Sequence, residues 1–231
     1  AMAAALGERG HVMAHLSHSY SDGGSIYYTF LAPQERGNEL GQWQRVKSAA
    51  TQAIVEHGGA LSHHHGIGSA HRPWMAAYLG AQAAAGAQAL MLFESWAGLL
   101  GVREYARFAL PAVRRTLAAL KPLGVPLIYY LNQGSALMRT VAGLDVDVVG
   151  VDWRSPLSEV RAALGPGKAV QGNLDPAALF APAVELTQAA AAVLSEAGSA
   201  PGHIFNLGHG IWPDTDPDAV ARLVDFVHEH P

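Results

Sequence analysis

Five short polar clusters in the C-terminal part of the chain carry side chains that could do chemistry. Each cluster follows an apolar run of the length typical of a β-strand. The clusters are Glu94–Trp96, Asn132–Gln133, Asp152–Arg154, Asn173–Asp175 and Asn206–His209. They hold carboxylates, a hydroxyl, a guanidinium and an imidazole, groups that bind acidic molecules and transfer protons. We therefore expect the five clusters to line one pocket.

Ordinary structural roles are the alternative for these side chains. A serine after a strand is often a cap or turn residue, and Asn206 and His209 could close a turn. Asp175 precedes Pro176, and proline suits a first helical turn, so we predict that Asp175 caps a helix. For Asp152, a capping role and a binding role both stay open.

Three consecutive histidines, His63–His65, form another candidate site. Neighbouring residues on a strand point to opposite faces, so at most His63 and His65 could share a metal ion. A metal site would need a further ligand such as His18 or His71. We expect no metal here and keep this site as the alternative.

Alternating strands and helices must position the five polar clusters. The pattern predicts strands at 87–93, 126–131, 146–151, 168–171 and 203–206, and helices at 74–85, 102–120, 156–164 and 176–197. Such alternation implies parallel strands covered by helices, with the βα loops on one face. A complete (β/α)8 barrel takes roughly 250 residues. The sequence therefore predicts an α/β fold with a partial (β/α)8, or TIM-type, barrel.

A different pattern precedes this barrel. Residues 11–19 and 25–31 are predicted strands joined by a tight turn at Asp22–Gly24. A helix at 42–57 and a short strand at 60–64 follow. This order predicts a small α+β, ferredoxin-like fragment.

Composition limits the classes of function. Of the 231 residues, 50% are hydrophobic and 15% charged, which is typical of a folded chain. A net charge of −4 argues against a nucleic-acid partner. The absence of cysteine excludes disulfides and thiolate chemistry. Polar residues interrupt the most apolar stretch, so we expect no membrane span and a soluble, cytoplasmic protein.

The C-terminal part resembles uroporphyrinogen decarboxylases over about residues 72–231. The resemblance lies in short motifs that occur in the family's order. They are Tyr78–Leu79 with Gln82, Ala85–Gln88, Phe93–Gly98, Gly150–Trp153, Gln171–Pro176 and Gly202–Ile211. The strings Gln-Gly-Asn-Leu-Asp-Pro and Asn-Leu-Gly-His-Gly are the most specific of these.

This resemblance implies a lyase of porphyrin and heme biosynthesis that acts on a small-molecule tetrapyrrole. The family removes the carboxyl groups of the four acetate arms of uroporphyrinogen without a cofactor, giving coproporphyrinogen. Ser95 and His209 match its substrate-pocket positions and are candidate catalytic and substrate-binding residues. Ser95 would donate a hydrogen bond, and His209 would bind a carboxylate or help proton transfer. We also assign substrate contacts to Asp152, Arg154 and Asn206.

The early strands of the family barrel have no counterpart in this chain. In the family they supply the arginines that bind substrate carboxylates and the aspartate that faces the pyrrole nitrogens, and nothing before Arg72 resembles them. Losing one preorganised group of this kind commonly costs about 10²–10³ in rate. We therefore expect little or no decarboxylase activity from this chain alone.

Residues 11–74 resemble the C-terminal region of FAD-linked oxidases, most closely the alkyl-dihydroxyacetonephosphate synthase branch. The matching strings are Ser17–Tyr20, Ile26–Phe30, Gly58–Gly59, Ser62–Gly68, and His71 with Pro73–Trp74. The resemblance implies that Tyr27 and His65 are catalytic and that His63 and His64 line the flavin or substrate pocket. It also implies FAD, but the family's flavin-binding domain has no counterpart here, so we do not expect stable FAD binding.

We place the boundary between the two fragments so that residues 1–71 are oxidase-like and 72–231 decarboxylase-like. No Gly/Ser-rich linker separates them. The alternatives to an impaired decarboxylase are a non-catalytic chimera of two enzyme fragments and a remnant of a flavoenzyme. Formation of a homodimer stays open.

Overall fold

The computed structural model of the chain describes residues 1–21, 23–59, 68–198 and 202–230. Side chains are described at these positions except 18, 20 and 68–73. The chain divides into two compact units, Ala1–Met75 and Ala76–Pro231. The first holds a two-stranded sheet and the second a five-stranded sheet.

The first unit is built on a β-hairpin. Its elements are α1 (Met2–Leu6), β1 (His11–Tyr20), β2 (Gly23–Leu31) and α2 (Glu39–Glu56). β1 and β2 pair antiparallel, and α1 packs on α2. Both predicted strands and the predicted helix are present, whereas the strand predicted at 60–64 lies outside the described residues. The helix α3 (Gly68–Ala84) contains the boundary between the units.

The second unit contains the predicted parallel sheet. Its strands are β3 (Leu90–Glu94), β4 (Leu127–Leu131), β5 (Val148–Val151), β6 (Ala169–Gln171) and β7 (His203–Ile204). They pair in chain order, each parallel to the next. The four residues of β5 are all buried, as expected for a sheet covered on both faces. The prediction of an α/β fold with a partial TIM-type barrel is confirmed.

Each of these strands is followed by one or two helices. These helices are α4 (Val102–Glu104), α5 (Leu110–Leu120), α6 (Met138–Val141), α7 (Leu157–Leu164), α8 (Ala183–Ala197) and α9 (Pro217–Glu229). A π-helical turn, Tyr105–Ala109, joins α4 to α5 within the helix predicted at 102–120. Leu110, Val113, Leu117 and Leu120 of α5 are buried at the three- and four-residue spacing of one helix face.

The helix predicted at 176–197 is in fact two elements. Residues Pro176–Phe180 form a 3-10 turn, and α8 begins only after Pro182. Ala181 is extended, with φ −80° and ψ 159°, because proline disfavours the helical conformation of the residue before it. The continuous helix was therefore a wrong prediction.

Helix α9 was not predicted from the sequence. Asp216 caps this helix through a hydrogen bond from the Asp218 amide, 3.0 Å away, and Pro217 occupies the first turn. The same Asp-Pro signal was recognised at Asp175–Pro176, so it could have located α9. Ala219 and Leu223 of α9 pack in the apolar core that α8 also lines.

Candidate functional site

A cleft of about 390 Å³ lies at the carboxyl ends of the parallel strands. The lining residues are Met91, Phe93, Ser95, Tyr130, Asn206, Leu207, His209, Gly210 and Ile211. The cleft thus brings together Ser95, Asn206 and His209, three of the residues singled out from the sequence. Ser95 directly follows the first strand of the sheet, and Asn206 and His209 lie in the loop after its last strand.

Strand alternation determines which side chains of β3 face the cleft. Successive side chains point to opposite faces of a sheet, so Met91, Phe93 and Ser95 share one face. Tyr130 lies beside Phe93 in the parallel register of β3 and β4, and the two rings pack with centroids 5.5 Å apart. Phe93 and Tyr130 were not predicted as site residues. The two-residue alternation of side chains along a strand could have identified them.

The loop after β7 carries Asn206 and His209 and is held by several contacts. The Gly208 amide donates to the Leu174 carbonyl at 2.7 Å, and the Tyr130 hydroxyl donates to the Gly208 carbonyl at 2.7 Å. A Cβ at Gly208 would lie 2.5 Å from the main-chain nitrogen of Trp153, so only glycine fits this position. The Trp153 ring meets the edge of the His209 imidazole, with centroids 6.4 Å apart.

Asn206 makes a local hydrogen bond and also lies in the lining of the cleft. Its side-chain oxygen accepts a hydrogen bond from the Leu207 amide at 2.8 Å, so it closes a local turn. The same residue lines the cleft. Its proposed contact with substrate stays a prediction.

Asp152 is buried and ties strand-end loops together. Its side-chain oxygens accept hydrogen bonds from the Gln133 amide and from the Arg154 amide, the latter at 2.8 Å. Gln133 has a φ of 56°, in the left-handed region that non-glycine residues rarely adopt. The side-chain Nδ2 of Asn173 also donates to the Asp152 main-chain carbonyl, at 3.0 Å. These contacts favour a structural role, and a substrate contact of Asp152 stays a prediction.

Arg154 has an exposed guanidinium next to this cluster. Its side chain is 41% exposed, and Nη1 lies 3.5 Å from the Asp152 carboxylate. The guanidinium lies over the Trp153 ring, 4.0 Å from the centroid, and contacts Asn132 Oδ1 at 3.5 Å. Stacking on an indole holds a guanidinium in place while its edge can bind an anion.

Polar groups on the other face of β3 and β4 belong to a separate, buried cluster. The hydroxyls of Tyr105 and Tyr129 are 2.7 Å apart, and burial raises the pKa of Tyr105 to about 12. Burial also raises the pKa of Glu94, although a hydrogen bond from the Trp96 amide opposes the shift. Glu94 alternates with Phe93 and Ser95, so its carboxyl does not face the cleft.

Asp175 has the capping role predicted for it. Its Oδ1 accepts a hydrogen bond from the Ala177 amide at 2.9 Å, and Pro176 occupies the first turn. This prediction is confirmed.

The oxidase-like candidates lie elsewhere. Tyr27 is in β2 of the first unit, opposite His15 in the register, whereas His63, His64 and His65 lie outside the described residues. That unit has a cavity of about 510 Å³ whose lining is mostly apolar and includes no lysine or arginine. A flavin dinucleotide needs donors for its pyrophosphate. The polar side chains of this lining are Tyr28 and His57. The absence of stable FAD binding and the roles of Tyr27 and the histidines stay predictions.

No group of three or more His, Asp or Glu side chains is arranged to hold a metal ion in the described part of the chain. Among the same residues, no helix has the length and hydropathy needed to cross a membrane.

Two family models match the chain. The model of uroporphyrinogen decarboxylase matches residues 72–230, and that of the C-terminal domain of FAD-linked oxidases matches residues 1–90. Residues 72–90 therefore fall within both matches. Both resemblances seen in the sequence are confirmed.

Similar curated proteins agree with the first match. The uroporphyrinogen decarboxylase of Streptomyces griseus is 49% identical over 153 residues, which are 66% of this chain and 42% of that protein. That of Roseiflexus sp. is 46% identical over 161 residues, covering 68% of this chain and 46% of that protein. The chain spans less than half the length of these relatives.

A solved structure supports the fold. A methyltransferase from Methanosarcina mazei superposes with a TM-score of 0.61 at 16% identity, over 84% of this chain and 53% of that one. Because the decarboxylase model covers well over half of the residues, this chain belongs to the uroporphyrinogen decarboxylase family.

Proposed function

We propose that the cleft binds a polycarboxylate tetrapyrrole of the uroporphyrinogen class and that the chain is decarboxylase-like. The observation that supports this most directly is the meeting of Ser95 and His209 in one cleft at the carboxyl ends of parallel strands. Active sites of parallel barrels lie at this end of the strands. Membership of the decarboxylase family supplies the class of substrate.

The reaction needs proton transfer and charge stabilisation but no redox partner. A proton added to a pyrrole carbon makes the ring cationic. The bond between the acetate methylene and its carboxylate then breaks, CO₂ leaves, and the electron pair moves into the ring. The methylene carbon takes up a proton to become a methyl group, and the ring carbon loses the proton it gained. Each arm therefore consumes one proton overall.

We assign roles to three side chains in this scheme. His209 binds an arm carboxylate or delivers a proton, because an imidazole can donate hydrogen bonds and act as a general acid or base. Ser95 donates a hydrogen bond to the ring or an arm. Arg154, stacked on Trp153 with its side chain 41% exposed, pairs with a peripheral carboxylate.

Among the described residues, the lining of the cleft lacks one group that this chemistry needs. None of its lining residues is an aspartate or glutamate. The Asp152 carboxylate is engaged by two main-chain amides, and Glu94 lies on the other face of β3. A cationic pyrrole would thus have no facing carboxylate among the lining residues. We therefore propose that this chain alone binds substrate but turns it over little or not at all.

Binding can be tested with uroporphyrin, the stable oxidised analogue of the substrate, by fluorescence titration. We expect His209→Ala to weaken binding about tenfold, the effect of losing one hydrogen bond to a charged group. The matched control is His228→Ala, on the exposed side of α9, which should bind like the unmodified chain. Equal affinities of the two variants would contradict the assigned site.

A second candidate is a non-catalytic chimera of two enzyme fragments. It is supported by the two family matches and by the division into units at Met75/Ala76. We propose that the fragments join at residues 71–72. A flavin absorption band in the purified protein would instead favour the flavoenzyme remnant. Absence of both flavin and uroporphyrin binding from a folded sample would favour the chimera.

A further inference from the structure

Tyr130 connects the two walls of the cleft. Its ring packs against Phe93, which lies in β3 two residues before Ser95, and both Phe93 and Ser95 line the cleft. Its hydroxyl donates to the Gly208 carbonyl at 2.7 Å, on the wall that carries His209. The side chain is only 7% exposed, so little water competes for this hydrogen bond.

The Gly208 peptide groups are fixed from two directions. The amide of Gly208 is bound to Leu174, and its carbonyl belongs to the peptide that links it to His209. The carbonyl accepts from Tyr130, so this peptide plane cannot rotate without breaking the bond. Trp153 lies against Gly208 and against the imidazole edge. The direction of the His209 side chain therefore depends on a hydroxyl that is remote in sequence.

The protonation state of Tyr130 suits this role. Burial raises the pKa of Tyr130 to about 12. The hydroxyl therefore stays protonated, and able to donate to the carbonyl, throughout the neutral range.

We propose that Tyr130 is a positioning residue whose hydroxyl fixes the Gly208–His209 peptide and thereby aims the imidazole into the cleft. The consequence for tetrapyrrole binding rests on the proposed function. The consequence for the loop rests on geometry alone, so the two can be tested separately.

Tyr130→Phe is the direct variant, because it removes only the hydroxyl. Tyr129→Phe is the matched control, since it makes the same change one residue earlier on β4. The Tyr129 hydroxyl contacts Tyr105 on the other face of the sheet. Thermal unfolding and circular dichroism of both variants establish that each is folded before the comparison is made.

Hydrogen exchange and histidine NMR of the full chain, without ligand, test the loop. We expect Tyr130→Phe to speed amide exchange in residues 207–211 about tenfold, the loss expected for one hydrogen bond. We also expect it to shift the NMR signal of the His209 imidazole. That signal is identified as the one missing from the spectrum of His209→Gln. Tyr129→Phe should change neither. If both folded variants give the exchange rates and His209 signal of the unmodified chain, the positioning role is wrong.

Uroporphyrin titration of the same proteins tests the consequence for the ligand. We expect about fivefold weaker binding by Tyr130→Phe and unchanged binding by Tyr129→Phe. If the unmodified chain binds no uroporphyrin, the proposed function fails while the exchange data still decide the role of Tyr130. If it binds and Tyr130→Phe binds equally well, the aiming of His209 does not matter for this ligand, and the proposed consequence for tetrapyrrole binding is overturned.

Discussion

Asp152 shows how one buried carboxylate can hold two strand-end loops together. It joins the loop after β4 to the loop after β5, through the amides of Gln133 and Arg154. The sequence left its role open because these partners converge only when the strands pair. Asp175 was predictable because its capping contact is local, two residues along the chain.

Replacing Asp152 with asparagine should destabilise the chain by about 2 kcal/mol. Asparagine has a single acceptor oxygen, so its NH₂ group would face one of the two main-chain amides. Asp145→Asn is the control, because Asp145 pairs with Lys121 on the surface and such pairs contribute about 0–1 kcal/mol. Urea unfolding measures the free energy of unfolding of both variants. A smaller loss for Asp152→Asn than for the control would contradict the organising role.

At the scale of elements, strand alternation places the cleft residues and the loop after β7 completes it. The five strands and their parallel order follow from apolar runs and βα alternation, which are local signals. The break before α8 and the contact of Tyr130 with Gly208 cannot be predicted from these apolar runs and their alternation. The first depends on the preference of one residue before a proline, and the second joins positions 78 residues apart. Sequence motifs therefore located Ser95 and His209 but not the aromatic side chains between them.

His203, at the start of β7, should make the stability of this end of the sheet depend on pH. Burial lowers its pKa from the ordinary 6.5, and Arg161 adds to the effect, although the hydrogen bond to the Gly172 carbonyl opposes it. Between the lowered pKa and about 6.5 the unfolded chain binds more protons, so the free energy of unfolding falls as pH falls through this window.

His203→Gln tests this dependence because glutamine can still donate a hydrogen bond but does not titrate. Urea unfolding from pH 8 to pH 5 should show a smaller loss of stability for the variant than for the unmodified chain. His228→Gln, on the exposed side of α9, is the control and should follow the unmodified chain. Parallel pH profiles for His203→Gln and the unmodified chain would contradict the prediction.

For the whole molecule, five parallel strands and a family match at residues 72–230 describe part of a decarboxylase barrel. The chain covers 42% of the Streptomyces griseus relative. The cleft has a histidine, a serine and an asparagine, but no lining carboxylate to face a cationic pyrrole. Binding and turnover should therefore separate in this chain, since binding uses groups that are present and turnover needs one that the cleft does not provide.

The most direct measurement is a single-turnover assay with uroporphyrinogen, in which bound substrate and released coproporphyrinogen are both quantified. The Streptomyces griseus relative serves as the positive control. We predict that the chain binds uroporphyrinogen and decarboxylates it at least about 10²-fold more slowly than the relative. Binding should weaken in His209→Ala. Turnover at the rate of the relative, or no binding by a folded sample, would contradict this account.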